Sequence, residues 1–547
     1  MRILYTLFLA LLLASSLHAQ SPADDLVWMK RIGGHSLGVP KVETDEQCNI
    51  LVAGRYANNG TTCLEYGGDT LYTDAVVNFD FVLLKLDSSG TLLWNLRIEG
   101  PAVRLYGMDC DHSDNVLLYV FADGPMTLQG QTIPTRRALI KLDPNGTLLW
   151  HADIEGAVEL SNVPDVISVD PMDRIVIGGA LDLVSAIGED TLTIDGTAYA
   201  PPDVRDLFLC RFNTDGSVDQ VFQYTTPDNN RVWVSAVDAS TGDILVAGQT
   251  DLSHLVIDGD TLGGDATHVN HMFVIRFSDQ GTLLWGHTYF GDATGTVYGM
   301  DLELMPGGSG MYVSGYYYLT ASSNGDTLVS AGLQDELVMR LTSTGTMLWA
   351  KSLGGPVTNV NSQITVSQLG SVVVSGIGNL EDMMRKYRAD GSLEWVLPNS
   401  GNANLQAWTP KYTPCGELIS VGNYNNHIQI GSQQMTSEPW TSIEAFILKF
   451  GDKDALTSGV VDLDAVPAEG QVMLAPNPGT DHIDVLLNMD VHEARILFFD
   501  ATSRCVLNAE LARDRSWINT ADLASGMYTF AVLDGSGDRL SLGKWIK

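Results

Sequence analysis

Short hydrophobic runs separated by tight polar turns fill most of the chain, and one pattern of them recurs. FVLLKLDSSGTLLWNLRIEG at 81–100 has an alternating run, a turn ending in glycine, and a second run with tryptophan. Each copy predicts a β-hairpin, because the turn glycine supplies the positive φ that a tight turn requires. Further copies lie at 138–156, 207–225, 272–291, 336–355 and 383–401. The turn glycines are Gly90, Gly146, Gly216, Gly281, Gly345 and Gly391.

A second apolar run, NILVAG at 49–54, recurs between these hairpins. Another short run precedes each copy, such as VISVD at 166–170, so the repeating unit has four strands. From Trp28 to Trp395, six intervals give a mean spacing of about 61 residues, which is typical of a β-propeller blade. A parallel β-helix, the competing architecture, has a shorter and more regular period.

The number of units predicts an all-β chain with a seven-bladed β-propeller. The last strand of the FVLLKL kind, AFILKF at 445–450, has no tryptophan strand after it. An unmatched tryptophan strand, LVWMKRIGG at 26–34, precedes the first unit. We expect this N-terminal strand to complete the seventh blade, since closing the ring removes two exposed sheet edges.

The repeat resembles the SBBP-type β-propeller repeat of bacterial surface proteins. The shared order is an inner strand, D-x-x-G-N, a strand, D-x-F-x-x-K-L-D, S-G and a strand with tryptophan, over roughly 26–450. The third and sixth copies are degenerate, which leaves the ends of individual strands open. The resemblance implies a propeller domain, which we place at 24–452, followed by a linker at 453–470.

The last part of the chain, 471–547, has a different pattern. Its pieces APNPGTDHIDV, ILFFDATSRCVLN, INTADLASGMYTFAVLD and GKWIK come in the order found in the C-terminal sorting domain of the type IX secretion system of Bacteroidota, which this segment resembles. It departs from that family at Thr502-Ser503-Arg504, where a turn glycine is usual. Alternating runs predict a small Ig-like β-sandwich, and an ordinary Ig-like module is the alternative.

The resemblance implies export, with the type IX secretion machinery as partner of this domain. The residues that carry the sorting motif are Pro476, Asn477, Pro478, Gly526, Tyr528, Lys544 and Lys547.

The N-terminus predicts a secretory signal peptide at 1–19. Arg2 is followed by an apolar run to about Ala14 and by small residues, and the run is short for a membrane span. An uncleaved anchor is the alternative. With the sorting domain, this predicts Sec export and then release or attachment at the outer-membrane surface, with no transmembrane segment. We expect a monomer.

The net charge limits the classes of binding partner, and the cysteine content limits the number of disulfides. The chain has 66 acidic and 31 basic residues, a formal net charge of −35. This balance argues against nucleic acid and against anionic membranes as partners. Six cysteines are too few for a disulfide scaffold. A Cys48–Cys63 disulfide is one option in an oxidising compartment.

Long connections between the second and third strands of most units predict a loop-rich face. Loops on a rigid scaffold often carry function, and aromatic, acidic loops suit sugar stacking or protein contact. A Leu-x-Ile-x-Gly-x-x-Leu element in several of them predicts a small hairpin instead. The candidate ligand-binding residues are Tyr66, Tyr72, Tyr199, Tyr317 and Trp440.

Four Asp-Thr-Leu triplets in these loops resemble the O-glycosylation acceptor of Bacteroidota. The alternative is that they only belong to the loop repeat. The candidate acceptors are Thr70, Thr191, Thr261 and Thr327.

One basic residue occurs in each strand of the FVLLKL kind. An anion-binding ring is one reading, but we expect these bases, like the repeating tryptophans, to pack between blades and pair with acids. They are Lys85, Lys141, Arg211, Arg276, Arg340, Lys386 and Lys449.

No resident cofactor is expected. Asp109, Asp111, Asp114 and Asn115 offer oxygen ligands for calcium, but they complete no EF-hand, and we expect a solvated turn instead. His254, His268 and His271 share a loop, where His-x-x-His spacing does not align both imidazoles, so we expect no zinc site.

The sequence favours a non-enzymatic surface protein that binds a glycan or a protein. It contains no G-x-S-x-G elbow, P-loop or H-E-x-x-H. Enzymatic activity stays open, because a polysaccharide hydrolase or lyase needs only carboxylates in the funnel, such as Asp109, Asp170, Asp238 and Asp301. A quinone-dependent dehydrogenase is a third option, although such propellers usually have eight blades.

Overall fold

The computed structural model shows an all-β protein built from antiparallel sheets. A short 3-10 turn covers Pro306–Gly308. The residues described are 25–34, 37–57, 63–73, 79–155, 158–159, 166–181, 191–199, 206–226, 230–250, 254–264, 271–290, 297–323, 326–354, 360–377, 382–398, 406–437, 444–451, 471–475, 482–488, 494–500, 505–512, 515–521, 523–524, 526–534 and 539–547.

The strands up to residue 450 fall into seven groups, which we number as sheets 1 to 7 along the chain. After β1 (Leu26–Gly34), sheets 1 to 3 and their inserted hairpins are formed by β2 (Leu37–Thr44), β3 (Ile50–Ala57), β4 (Cys63–Tyr66), β5 (Asp69–Thr73), β6 (Phe79–Leu86), β7 (Leu92–Glu99), β8 (Arg104–Cys110), β9 (Val116–Phe121), β10 (Met126–Leu128), β11 (Gln131–Ile133), β12 (Arg137–Leu142), β13 (Leu148–Glu155), β14 (Val158–Glu159), β15 (Ile167–Val169), β16 (Ile175–Leu181), β17 (Leu192–Ile194), β18 (Thr197–Tyr199), β19 (Asp206–Phe212) and β20 (Val218–Thr225). Sheets 4 to 7 continue with β21 (Asn230–Val237), β22 (Ile244–Thr250), β23 (His254–Ile257), β24 (Asp260–Gly264), β25 (His271–Phe277), β26 (Leu283–Tyr289), β27 (Val297–Leu304), β28 (Gly310–Ser323), β29 (Asp326–Thr342), β30 (Met347–Leu353), β31 (Val360–Val366), β32 (Val372–Ile377), β33 (Asp382–Tyr387), β34 (Leu393–Pro398), β35 (Gln406–Tyr412), β36 (Leu418–Tyr424), β37 (His427–Ile430), β38 (Gln433–Thr436) and β39 (Glu444–Phe450).

Each sheet has four main strands, paired in chain order except that β1 takes the fourth place in sheet 7, and the middle two are largely buried on both faces. In sheet 4, for example, β22 and β25 are buried along their whole length, because the neighbouring sheets cover both faces. The main strands from first to fourth are β2-β3-β6-β7, β8-β9-β12-β13, β15-β16-β19-β20, β21-β22-β25-β26, β27-β28-β29-β30, β31-β32-β33-β34 and β35-β36-β39-β1.

The N-terminal strand completes sheet 7, as the repeat count predicts. Trp28 lies opposite Lys449 and Arg31 opposite Phe446 in the β1–β39 pair. A disulfide between Cys48 and Cys415 joins sheet 1 to sheet 7 as well. The option of a Cys48–Cys63 disulfide is therefore wrong: Cys48 is bonded to Cys415, and Cys63 is a free thiol in the inserted hairpin β4–β5.

The first strands of the seven sheets contact one another in order. β2 contacts β8, β8 contacts β15, and the series continues through β21, β27 and β31 to β35, which contacts β2. Side chains link several of these neighbours through the backbone. Asp109 accepts a hydrogen bond from the Val169 N–H at 3.0 Å, and Asp301 accepts one from the Ile364 N–H at 2.8 Å.

In sheets 1, 2, 5 and 7 the repeating tryptophan and base fasten the sheet to the next one. The Trp94 indole and the Lys85 ammonium both donate to the Pro144 carbonyl, in the turn between the third and fourth strands of sheet 2. Trp150 and Lys141 donate in the same way to Thr214 in sheet 3. Other members of the series are Trp28 and Lys449 on Ser88, and Trp349 and Arg340 on Ala389.

Sheets 3 and 6 depart from this arrangement for visible reasons. In sheet 3 the repeat has Gln220, and Phe222 takes the place of tryptophan against the turn glycine Gly281. In sheet 6, Lys386 lies 3.6 Å from Glu394 and 5.9 Å from the centre of the Tyr412 ring. Lys386 meets no tight turn on sheet 7, because the third and fourth strands of that sheet, β39 and β1, are not consecutive in the chain.

The C-terminal residues form two further sheets around a shared core. One side of that core comes from Ile483 and Val485, and the other from Ile496, Phe498 and Phe530. The strands are β40 (Gln471–Ala475), β41 (His482–Asn488), β42 (Ala494–Phe499), β43 (Cys505–Leu511), β44 (Arg515–Asn519), β45 (Met527–Leu533) and β46 (Arg539–Ile546), in the orders β40-β41-β44 and β43-β42-β45-β46.

Candidate functional site

Two of the candidate ligand-binding tyrosines lie inside the protein. Tyr66 is 4% exposed and donates its hydroxyl to the Gly90 carbonyl at 2.6 Å, between sheets 7 and 1. Tyr317 is fully buried, and its hydroxyl lies 2.7 Å from the Ser352 hydroxyl. Neither ring offers a face to a ligand in this arrangement, because hairpin strands that pack onto a neighbouring sheet turn half of their side chains inward.

Tyr72 and Tyr199 are half-buried on two of the inserted hairpins, so part of each ring reaches solvent. The Tyr72 hydroxyl donates to the Asn95 side chain at 2.6 Å, and the Arg97 guanidinium lies 5.6 Å from its ring centre. Burial raises the pKa of Tyr72 to about 12, so its hydroxyl stays protonated and able to donate. Trp440 lies outside the described residues.

The hairpins themselves follow the Leu-x-Ile-x-Gly-x-x-Leu element. Leu192 to Tyr199 forms β17–β18, and β17 pairs with the fourth strand of sheet 2. The hairpins β4–β5 and β10–β11 pair likewise with the fourth strands β1 and β7. Each of these inserts therefore covers part of the outer edge of the preceding sheet.

Three of the four Asp-Thr-Leu threonines occupy matching positions. Thr70, Thr261 and Thr327 are exposed and are the second residues of β5, β24 and β29, each the returning strand of its hairpin. Thr191 is half-buried just before β17.

The residues considered as possible calcium ligands all have protein partners. Asp111 lies 2.8 Å from the Lys141 ammonium and also binds the Asn115 side chain. Asp114 accepts hydrogen bonds from the Glu46 N–H and the Gln47 amide. Within the described residues, no group of three or more His, Cys, Asp or Glu side chains is arranged to hold a metal ion. His268 lies outside those residues, and His254 and His271 lie on β23 and β25.

The four carboxylates considered for catalysis, Asp109, Asp170, Asp238 and Asp301, fall into two groups by their surroundings. Asp170 and Asp238 stand in the turns after the first strands and bind Arg174 and Arg276 at 2.6 and 2.8 Å. Asp109 and Asp301 instead line a cavity of about 190 Å³ between the first strands of six sheets.

The same cavity contains an ion-paired triad that the sequence analysis missed. The Lys411 ammonium lies 2.9 Å from a Glu43 oxygen and 3.6 Å from a Glu303 oxygen. These residues come from sheets 7, 1 and 5, so the triad exists only when the first strands converge. The Lys411 and Glu303 side chains are 27% and 29% exposed, so the cavity is open to solvent on their side.

Burial and charge act against each other in the triad. Burial raises the pKa of Glu43, and attraction to Lys411 offsets this only in part. Burial by itself lowers the pKa of Lys411, but Glu43 and Glu303 outweigh it and raise the pKa well above the ordinary value. Lys411 is therefore a permanent cation at neutral pH.

A sequence signal for this cavity exists in the repeat. Glu43, Asp109, Glu303 and Lys411 all stand two residues before the turn that follows the first strand. Six of the seven units have a polar residue at that position, the others being Ser168 and Thr365.

The predicted sorting residues are partly described. Tyr528 is buried and donates to the Ala524 carbonyl at 2.6 Å, while Gly526 exchanges two backbone hydrogen bonds with Lys547. The Lys547 ammonium donates to three carbonyls, those of Thr520, Ala521 and Leu523, at 2.5, 2.7 and 2.5 Å. Pro476, Asn477 and Pro478 lie outside the described residues, as does the side chain of Lys544.

One family match accounts for this C-terminal unit. Residues 473–546 match the family described as a secretion system C-terminal sorting domain. The chain thus carries a type IX secretion sorting domain and is a protein exported to the cell surface or the medium. In the part that the structure describes, no helix is long and apolar enough to cross a membrane.

Other comparisons cover more of the chain but are distant. An uncharacterized WD repeat-containing protein of Acanthamoeba polyphaga mimivirus is 24% identical over 497 residues, covering 74% of this chain and 34% of that protein. The chain therefore spans about a third of the length of this relative.

Two solved structures superpose only loosely. A fungal alcohol oxidase of the AA5 family in complex with copper has a TM-score of 0.37 and 11% identity, over 95% of this chain and 98% of that one. PorZ, an essential surface component of the type IX secretion system of Porphyromonas gingivalis, has a TM-score of 0.24 and 12% identity, over 95% and 75%. Likenesses at these scores carry no argument about function.

Proposed function

We propose that the chain is a seven-bladed β-propeller at the bacterial surface that binds a glycan or protein without catalysis. The observation that carries the architecture is the series of first-strand contacts that runs from β2 through five further strands to β35 and returns to β2. The β1–β39 pair and the Cys48–Cys415 disulfide join the first and last sheets. These contacts support the propeller at 24–452. We propose further, from the sequence pattern, that it is built of SBBP-type repeats and follows a signal peptide at 1–19.

The proposed binding surface is the end of the propeller that carries the inserted hairpins. The connections there differ greatly between sheets: β28 and β29 of sheet 5 run for 14 and 17 residues, twice the length of most other strands. Variable inserts on a repeated framework are the usual place for recognition. Tyr72 and Tyr199 contribute half-exposed rings, and no resident cofactor is needed.

A glycan array and a pull-down from the native environment test this proposal. We expect a ligand whose capture falls at least about tenfold in a Tyr72→Ala, Tyr199→Ala double variant, since an aromatic contact contributes on the order of 1 kcal/mol per ring. Trp517→Ala, on β44 of the C-terminal domain, is the matched control for loss of an exposed ring away from this surface. Blank results in both assays contradict the binding role.

We also propose that Thr70, Thr261 and Thr327 carry O-linked glycans in the native organism, with Thr191 as a fourth acceptor. Their support is exposure at equivalent hairpin positions. Intact mass measurement of the exported protein should exceed the sequence mass, and Thr→Ala at each site should remove one increment. An unmodified mass contradicts the proposal.

A secreted polysaccharide hydrolase or lyase is the second candidate, favoured by the placement of Asp109 and Asp301 at one cavity. Turnover on a polysaccharide panel that disappears in Asp109→Asn or Asp301→Asn would establish it. The absence of turnover on the panel would leave the binding role as the account of this fold.

A further inference from the structure

One sheet of the sorting domain is apolar on both of its faces. In β42, Ile496 and Phe498 belong to the core of the domain, while the alternate residues Leu497 and Phe499 belong to a second cluster on the outer face. An antiparallel sheet on the outside of a small domain usually has a polar outer face. Here the outer side chains are at most 1% exposed, so another part of the protein covers them. They are Leu497, Phe499, Ala531 and Leu533.

Two turns of the first seven sheets contact this outer face. Leu369, in the turn between the first and second strands of sheet 6, packs against the apolar cluster. The corresponding turn of sheet 5 accepts two hydrogen bonds. The Asn508 amide donates to the Gly307 carbonyl at 2.8 Å, and the Arg495 guanidinium donates to the Pro306 carbonyl at 3.1 Å. We call the side chains that share this face of the sheet the docking face: Arg495, Leu497, Phe499, Asn508, Ala531 and Leu533.

The same two turns are the ones that lack charged residues. In sheets 1 to 4 the turn after the first strand begins with an aspartate, and in sheet 7 it ends with Glu417. Residues 305–309 of sheet 5 and 367–371 of sheet 6 read MPGGS and SQLGS instead. Uncharged turns suit an apolar partner, because a carboxylate covered by that partner would lose its water. The four aspartates are Asp45, Asp111, Asp170 and Asp238.

Two titratable groups of the sorting domain are affected by this contact. Burial, and then repulsion from Arg340 of sheet 5, lowers the pKa of Arg495 to about 10. Burial raises the pKa of the Cys505 thiol, which lies opposite Phe499 on β43, to about 11. Moving the domain into water would remove the burial at Cys505. The reactivity of this thiol therefore reports whether the docking face is covered.

We propose that the uncharged turns of sheets 5 and 6 form a docking surface for the sorting domain, which stays bound there in the folded protein and hides its docking face from other partners. Connections between successive antiparallel strands alternate between the two ends of a sheet. The inserted hairpins follow the second strands, so they lie at the opposite end from these turns. The docked domain thus leaves the hairpin end free, and this inference holds whatever ligand the hairpins bind.

Thiol labelling of the full chain with N-ethylmaleimide tests the docked position. Leu369→Asp places a carboxylate against the docking face, and because burying an unpaired charge is unfavourable, the domain should leave the turns. Labelling of Cys505 should then become at least about tenfold faster. Small-angle X-ray scattering should show a larger radius of gyration. Met172→Asp is the matched control, since Met172 is the third residue of the equivalent turn in sheet 3 and is 61% exposed. It should change neither readout.

Cys210 shows whether the variants stay folded. This thiol is fully buried in sheet 3 and should remain unlabelled throughout. Faster labelling of Cys505 in Leu369→Asp but not in Met172→Asp, with Cys210 protected, supports the docking surface. Equal rates at Cys505 in these two variants, or an unchanged radius of gyration in Leu369→Asp, overturns it.

A second variant decides the matter if Leu369→Asp also exposes Cys210. Asn508→Ala removes the hydrogen bond to the Gly307 carbonyl and leaves the turns of sheets 5 and 6 unaltered. It should make labelling of Cys505 about threefold faster. An unchanged rate in Asn508→Ala overturns the proposal.

Discussion

Trp94 donates its indole N–H to the carbonyl oxygen of Pro144 at 2.9 Å, although the two residues are 50 positions apart and lie in neighbouring sheets. The Lys85 ammonium reaches the same oxygen at 3.2 Å. A tryptophan and a base that share one turn carbonyl explain why both recur in the repeat. They hold adjacent sheets together, and the seven bases do not form an anion site.

Replacing Trp94 with Phe tests this fastening. Trp94→Phe keeps an aromatic ring but removes the indole N–H, so we expect the free energy of unfolding to fall by about 2 kcal/mol from the lost hydrogen bond and packing. Leu93→Ala, at a neighbouring side chain that is 51% exposed, should change it by less than about 0.5 kcal/mol. If urea unfolding shows the same loss of free energy in Trp94→Phe and Leu93→Ala, the indole hydrogen bond contributes nothing to stability.

Two turn glycines allow the cost of backbone strain at positive φ to be measured separately from the cost of crowding a neighbouring side chain. Gly216 and Gly259 both have φ of +88°, but a Cβ at Gly216 would lie 2.7 Å from the Trp150 ring, whereas one at Gly259 would meet nothing within 4 Å. Gly259→Ala should destabilise the protein by about 1 kcal/mol, through backbone conformation alone. Gly216→Ala should cost about 3 kcal/mol, since the ring must also move. Similar losses in thermal or urea unfolding would contradict the close packing.

Stability at acid pH should depend on Asp111. Burial alone raises the pKa of Asp111, but hydrogen bonds from Lys141 and Asn115 outweigh it, so the pKa lies below its ordinary value. A lowered pKa in the folded state stabilises the protein above about pH 4, and this contribution is lost as pH falls through the folded-state value. Asp111→Asn should lower the free energy of unfolding at pH 7 by about 3 kcal/mol and flatten its decline below pH 4.

Urea unfolding between pH 3 and pH 7 measures both effects. Asp69→Asn, at an exposed position on β5, is the control and should match the unaltered protein within about 0.5 kcal/mol. A variant at Asp111 that keeps the original acid sensitivity would assign that sensitivity to other carboxylates.

The stability of the contact between sheets 1 and 7 should depend on the Cys48–Cys415 disulfide. The double variant Cys48→Ala, Cys415→Ala removes a cross-link between residues 367 positions apart and should lower the free energy of unfolding by about 4 kcal/mol. Hydrogen exchange should quicken first in β1 and β39. Cys63→Ala, which removes a free thiol, should leave both readouts unchanged.

The sequence predicts features that one repeat unit determines by itself. Gly90 and its counterparts have positive φ, as their turns require, and the strand of Trp28 pairs with the strand of Phe446 because the unit count leaves both unmatched. Contacts between distant units could not be predicted in this way. Cys415 becomes the partner of Cys48 only when the first and last sheets meet, and that depends on the path of the whole chain.

The candidate sites were harder to predict for the same reason. In the sequence, Tyr66 is a candidate ligand-binding residue because it lies in a predicted loop. In the structure its hairpin packs onto β1 and turns the ring inward. Glu43, Glu303 and Lys411 look like isolated surface charges in the sequence, and they form a triad because three sheets bring their first strands together.

Peptide mapping of the exported protein without reduction tests the central claim most directly. If the first and last sheets meet, the peptide with Cys48 must be linked to the peptide with Cys415, and reduction must separate the two. A disulfide that links Cys48 or Cys415 to another cysteine would contradict the placement of the first and last sheets side by side, on which the closed ring depends.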